Sequence, residues 1–212
     1  MIKPWPIISS ESQYKCRVFS VRTDRACSPR TGLEHDFHLI DSPNWVNVIP
    51  LTPDNQVVLI RQYRFGSRSV TLEIPGGLVD PHEPAEEAAR RELMEETGYG
   101  GGEIILLGQV NPNPALFGNA CATYLAREVT RQGRQRQDDG EDIEVLTRPL
   151  ADIPALIRSG EIEHAMVLAA FSFYFVSPFG QIPGGGLIGA LIVGLWYMRR
   201  HGLNMWLTCD IF

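Results

Sequence analysis

Cysteine is scarce in this chain of 212 residues: Cys16, Cys27, Cys121 and Cys209 lie far apart and form no C-x-x-C pair. That argues against a zinc cluster and against a disulfide framework, and makes a reducing cytoplasm the expected setting. The five histidines show no ligand spacing. Clustered basic residues are missing as well. The formal net charge is −6, whereas phosphate backbones are held by grouped Lys and Arg, so no nucleic-acid partner is expected. An anionic small substrate stays open, because a bound divalent cation can supply the positive charge. From Met1 to Ser12 there is no basic segment followed by a long apolar stretch, so no secretory leader is expected. Gly184 to Met198 is fifteen residues without a charge, short of the roughly 20 needed to span a bilayer. Pro178, Gln181 and Pro183 interrupt its extension backwards. A membrane segment, an interfacial segment and a buried helix all remain open for it, and weak membrane association is expected only through residues 184–198.

Hydrophobic residues make up 44% of the chain and charged residues 21%, which suits one compact domain with a core. Short apolar runs separated by turn-formers predict strands at Cys16–Val21, Phe37–Ile40, Trp45–Leu51 and Val57–Tyr63, with Thr52-Pro53-Asp54-Asn55 as a tight turn. The glycine pair Gly76-Gly77 leads into one strong helix from Pro84 to Thr97. Proline suits its first turn and Gly98 its stop, and Ala89 and Leu93 give it an apolar stripe. Further strands are predicted at Ile104–Val110, Ala120–Val129 and Ile143–Leu146, and helices at Leu150–Ser159 and Glu163–Phe175. Together they make an α/β layered domain.

The chemistry-bearing stretch runs from Gly77 to Tyr99. Gly77 is followed by Glu83, then by Arg91-Glu92-Leu93-Met94-Glu95-Glu96-Thr97-Gly98-Tyr99. On a helix Glu92 neighbours both Glu95 and Glu96, and like charges so placed repel by a few tenths of a kcal/mol per pair. A hard divalent cation with oxygen ligands relieves that cost. Arg91, four residues before Glu95, can hold that carboxylate and leave others free. Acid-rich helices are usually just solvated faces, which suffices for Glu86-Glu87. It does not suffice for the whole string, which chance would produce in such a chain about once in 10⁷ trials.

Those residues resemble the signature of the Nudix hydrolase family, filled from Gly77 to Tyr99. The resemblance implies an α/β/α sandwich with a mixed sheet and an N-terminal antiparallel strand region. It divides the chain into a strand region at 1–44, a hydrolase domain at 45–176 and a hydrophobic tail at 177–212. It also implies Mg²⁺ or Mn²⁺, with Glu92 and Glu96 as ligands, Glu95 assisting, Arg91 orienting the cluster and Glu83 supporting the loop. Arg61-Gln62-Tyr63-Arg64 and Leu72-Glu73-Ile74-Pro75-Gly76-Gly77 look like the branch that cleaves ADP-ribose and other nucleoside diphosphate sugars. In that branch the Gly76 carbonyl would meet a metal, Arg64 a substrate phosphate, and Glu73 substrate, metal or only Arg64. Pro114, in a proline-bearing turn, fits the same branch weakly.

A metal-activated water would be the nucleophile, with a carboxylate taking its proton. Asp138-Asp-Gly-Glu141-Asp142-Ile-Glu144 resembles the mobile loop that carries this carboxylate, with Glu141 first choice, Glu144 second and Glu92 third. Trp45, Phe65 and Phe117 are candidates to stack on the base, or are core aromatics. The expected activity is hydrolysis of a nucleoside diphosphate sugar such as ADP-ribose. The alternatives are another nucleoside diphosphate derivative (NADH, a GDP-sugar, a dinucleoside polyphosphate) or a non-catalytic nucleotide sensor. The branch also implies a homodimer. Separately, the segments at 185–191, 196–203 and 208–212 resemble an internal piece of prolipoprotein diacylglyceryl transferase, a membrane enzyme. About 30 residues are too few to carry its activity.

Overall fold

The computed structural model describes residues 1–137 and 140–180. Strands β1 (Ile7–Lys15), β2 (Ser20–Cys27) and β3 (Glu34–Asp41) form a three-stranded antiparallel sheet. The strand predicted at Cys16–Val21 is corrected here. Cys16 N–H donates to the Phe19 carbonyl (2.9 Å), so the chain turns at this point between β1 and β2. Val18 and Phe19 are apolar because they reach a cleft, described below. The true first strand, β1, is exposed along its length. Its polar sequence carries no face to bury, and the backbone ladder to β2 is what holds it.

The second sheet contains β4 (Trp45–Leu51), β5 (Gln56–Arg64), β6 (Ser69–Glu73), β7 (Gly76–Leu78), β9 (Glu103–Val110), β10 (Cys121–Arg127) and β12 (Ile143–Pro149). Its main order is β12-β5-β4-β10-β9, with β6 on β5 and β7 on β4. β4 and β10 run parallel and the other pairs antiparallel, so the sheet is mixed. A small separate pair joins β8 (Tyr99–Gly100) to β11 (Thr130–Arg131).

Central strands covered on both faces read as near-continuous apolar runs, and β4 and β5 do so because helices lie on either side. Ile49, Leu51, Val57 and Leu59 face one way, into a core closed by Ile153 of α2 (Ile153–Ser159) and Phe171 of α3 (Ala165–Val176). Val46, Val48 and Val58 face the other way and pack on Ala88, Ala89 and Leu93 of α1 (Ala85–Thr97). Each of the larger side chains here, Val, Leu, Ile or Phe, contributes about 1.5–3 kcal/mol when fully buried. The result is an α/β/α sandwich. Among the described residues no helix is long and apolar enough to cross a membrane. The uncharged run at 184–198 and the tail segments after it lie outside the described residues.

Candidate active site

α1 is placed by its ends and by one face. Pro84 is its N-cap and Gly98 its C-cap, left-handed at φ 71°, with the Gly98 N–H on the Met94 carbonyl. A glycine takes that conformation without a Cβ penalty. With Ala88, Ala89 and Leu93 turned to the sheet, Arg91, Glu92, Glu95 and Glu96 come round towards β7. There Gly76 and Gly77 let the two elements close up. A Cβ on Gly76 would strike the Val46 carbonyl, and one on Gly77 would strike the Glu92 carboxylate. The pair read as a lead-in to the helix is thus a short strand on β4, where Gly76 lies opposite Asn47 and Gly77 opposite Val46.

Arg91 ties this region together. Its Nε and Nη2 donate to the two oxygens of Glu83 (3.0 Å each), and Nη2 also donates to the Leu78 carbonyl (2.9 Å). Nη1 donates to Glu92 (2.8 Å) and to Glu95 (3.2 Å). A planar fork of five N–H groups suits such divided pairing, and an ammonium would not. Among the described residues no three carboxylate, histidine or cysteine side chains converge at metal-ligand distance. The guanidinium draws Glu83, Glu92 and Glu95 to itself instead.

Glu96 is set apart from that fork. It is 4% exposed, and one of its oxygens accepts from Gly76 N–H (2.8 Å). Burial pushes its carboxyl up to about 8, helped by the charges of Glu92 and Glu141. Burial also raises Glu92, against the pull of Arg91. Glu141 sits on an exposed loop before β12, and its charge is felt at Glu92, Glu96 and Arg64. Glu144 instead lies beside Arg61 (3.4 Å) on an exposed edge.

A cleft of about 900 Å³ runs along β7. Gly76, Gly77 and Leu78 line it, together with Arg64 and Glu73. Arg64 donates from Nε (2.8 Å) and Nη2 (2.7 Å) to the two oxygens of Glu73, which also accepts from the Thr71 hydroxyl (2.6 Å). Burial works to raise the Glu73 carboxyl, but these hydrogen bonds outweigh it and hold it below its usual range. Trp45, Phe65 and Phe117 all line the cleft, with the Trp45 and Phe117 rings 6.1 Å apart. Phe65 is 82% exposed and so is no core aromatic. Sequence reasoning missed Phe19, Asn47 and His164, which also line the cleft. Nothing local marks them. They meet the others only through the turn before β2, the β4–β7 pairing and the start of α3.

The NUDIX domain family matches residues 42–171. The chain belongs to this family. Relatives of this NUDIX chain include the ADP compounds hydrolase NudE of Escherichia coli (strain K12), 30% identical over 125 residues, covering 59% of this chain and 66% of that protein. The ADP-ribose pyrophosphatase of Bacillus subtilis (strain 168) is 27% identical over 136 residues, 64% of this chain and 74% of that protein. A GDP-mannose pyrophosphatase of Citrobacter koseri is 33% identical over 152 residues, 66% of this chain and 78% of that protein. The match to the first of these thus spans about two thirds of its length. A crystal structure of an ADP compounds hydrolase superposes with a TM-score of 0.72 at 23% identity, covering 96% of this chain and 99% of that one, which supports the fold.

The raised Glu96 carboxyl makes the stability of the cation-free NUDIX domain depend on pH. The unfolded chain releases this proton near the ordinary 4.5, while the folded protein keeps it up to about 8. Stability therefore falls as pH rises through that window, by at most about 1.4 kcal/mol per pH unit, and levels off above it. Glu96→Gln, whose amide oxygen still accepts from Gly76, should remove this part of the slope. Urea midpoints of both proteins at pH 5, 6.5 and 8 check it, and parallel curves would contradict it.

Proposed function

We propose that this NUDIX chain hydrolyses the diphosphate of a nucleoside diphosphate sugar such as ADP-ribose, giving a nucleoside monophosphate and a sugar phosphate, with Mg²⁺ or Mn²⁺ as cofactor. One observation carries this: β7 belongs to two places at once. Its glycines press against Glu92 and hydrogen-bond Glu96, and they also line the cleft that holds Arg64 and the aromatic rings. A phosphoanhydride bound along β7 would lie between the acidic cluster and the cleft.

The donor set suits a hard divalent cation. One guanidinium pairs with three carboxylates, and a fourth, the buried Glu96, accepts from the Gly76 backbone N–H. Glu92, Glu96 and the Gly76 carbonyl would hold the ion, since carboxylate and carbonyl oxygens are its preferred ligands. When bound, such an ion neutralises diphosphate charge and acidifies a coordinated water. Arg91, with Glu83 and Glu95, keeps Glu92 in place. Glu141, whose charge reaches the cluster and Arg64, takes the proton from the attacking water. Arg64 gives two of its five N–H groups to Glu73, and the remainder can meet a substrate phosphate. Trp45, Phe65 and Phe117 offer faces for the base. The 33% identity to a GDP-mannose pyrophosphatase supports a second reading, a guanosine diphosphate sugar in the same site.

Purified chain with Mg²⁺ should release AMP and ribose 5-phosphate from ADP-ribose, or the matching products from another nucleotide sugar in a panel that includes GDP-mannose, NADH and diadenosine polyphosphates. EDTA should abolish turnover. Failure to cleave any member in a metal-dependent way would contradict the proposal. Glu141→Gln should lower kcat by roughly 10²–10⁴-fold with KM little changed, and kcat within a few-fold of the parent would remove Glu141 from the role of base.

A further inference from the structure

The last turn of α1 is fastened to the segment that follows β11. Carbonyls at the end of a helix have no partner within it, and here that segment supplies the donors. Arg136 N–H donates to the Glu95 carbonyl (2.8 Å), and the Gln132 and Gly133 N–H groups both donate to the Gly98 carbonyl (2.8 and 3.1 Å). The Glu96 carbonyl is met by a side chain instead, the Nε2 of half-buried Gln135 (2.7 Å). An amide nitrogen carries two hydrogens. The second one crosses to another element, because Gln135 Nε2 also donates to the Ile143 carbonyl (3.0 Å) at the start of β12.

β12 is the edge of its sheet, so the outward N–H and C=O groups of its backbone face no strand. At Ile143 two glutamines take the place of one. Gln137 donates from Nε2 to the Ile143 carbonyl (2.8 Å) and accepts the Ile143 N–H at Oε1 (3.3 Å), as a paired peptide group would. Ile143 is buried, and its pairing with Gln62 holds it to β5. Gln135 fixes it relative to α1 as well, by joining the Ile143 and Glu96 carbonyls through one nitrogen. Glu141 stands two residues before Ile143, so the two Cα atoms lie within about 7 Å of each other. The carboxylate proposed to take the proton is therefore tethered, through Ile143 and Gln135, to the backbone of a residue proposed to hold the cation.

We infer that Gln135 is a positioning residue for Glu141: its amide spans α1 and β12 and sets where Glu141 stands relative to the acidic end of the helix, with Gln137 closing the same joint. The inference rests on the proposed function, which makes Glu141 the base, and adds two residues that act through it. A base displaced by about an ångström loses much of its rate. Substrate binding, which falls to Arg64 and the cleft, does not pass through this joint. The signature is a fall in kcat without a rise in KM.

The test compares wild type, Gln135→Met, Gln137→Met, Glu141→Gln and the double variant Gln135→Met/Glu141→Gln. Methionine matches glutamine in length and cannot donate, and thermal unfolding confirms that each protein is folded. Two readouts are taken: amide hydrogen exchange over residues 140–146, and kcat and KM for the nucleotide sugars with Mg²⁺. In Gln135→Met exchange of this segment should quicken and kcat should fall about tenfold, the loss of one bridging hydrogen bond, with KM little changed. Gln137→Met should act in the same direction. Placed on Glu141→Gln, Gln135→Met should lower kcat no further, because the group it positions is already gone. An equal fall in both backgrounds would mean a merely structural role and overturn the inference. So would unchanged exchange in folded Gln135→Met and Gln137→Met, or a Glu141→Gln protein as active as the parent. A wild type that cleaves no substrate would refute the proposed function instead. Exchange alone would then decide the tether, quickened exchange upholding it and unchanged exchange overturning it.

Discussion

The arrangement of this site depends on how several carboxylates are kept within one turn and a half of helix without driving it apart. Arg91 meets part of that demand, and its five N–H groups reach in three directions: to Glu83 in the loop before α1, to the Leu78 carbonyl at the end of β7, and to Glu92 and Glu95 on its own helix. Strand, loop and helix are cross-linked by one side chain. Glu96 lies beyond the reach of these bonds. Buried, with the Gly76 N–H as its donor, it retains a proton to about 8. The cluster is balanced for Glu92 and Glu95, while Glu96 is left to a proton or, on the proposed function, a cation.

The glycines of β7 follow from the same demand. No side chain can stand between Glu92 and the strand, nor between β7 and the backbone of β4. Close approach at β7 then brings the acidic cluster and the cleft to the same short strand. Arg64 and Glu73, fixed to each other by two hydrogen bonds, line the cleft from β5 and β6. Val18 and Phe19 come from the turn between β1 and β2, so the N-terminal region contributes to the cleft through that turn.

What could be read from the sequence was whatever is local. β4 matches its predicted bounds, and α1 begins after Pro84 and ends at Gly98, because apolar periodicity and end signals are written within a few residues. The acidic cluster was legible for the same reason, since its members share one helix. β1 was not legible: its residues are all exposed and show no alternation, and only pairing with β2 makes it a strand. The apolar Val18 and Phe19 drew a strand onto the turn instead. β6 and β7 are short and end in a glycine-rich segment, which reads as a loop until β4 and β5 are placed beside it. Asn47 and His164 are separated by more than half the chain and converge only when α3 packs over β4.

On the proposed function, the Glu96 carboxyl exchanges its proton for a divalent cation. Calorimetric titration of Mn²⁺ into the chain at pH 7, in buffers of different ionisation enthalpy, measures the protons released on binding. About one proton should be released per ion bound, with affinity rising with pH and levelling off near 8. Glu96→Gln should lose both the release and most of the affinity. Binding without proton release, equally tight in wild type and in Glu96→Gln, would contradict it.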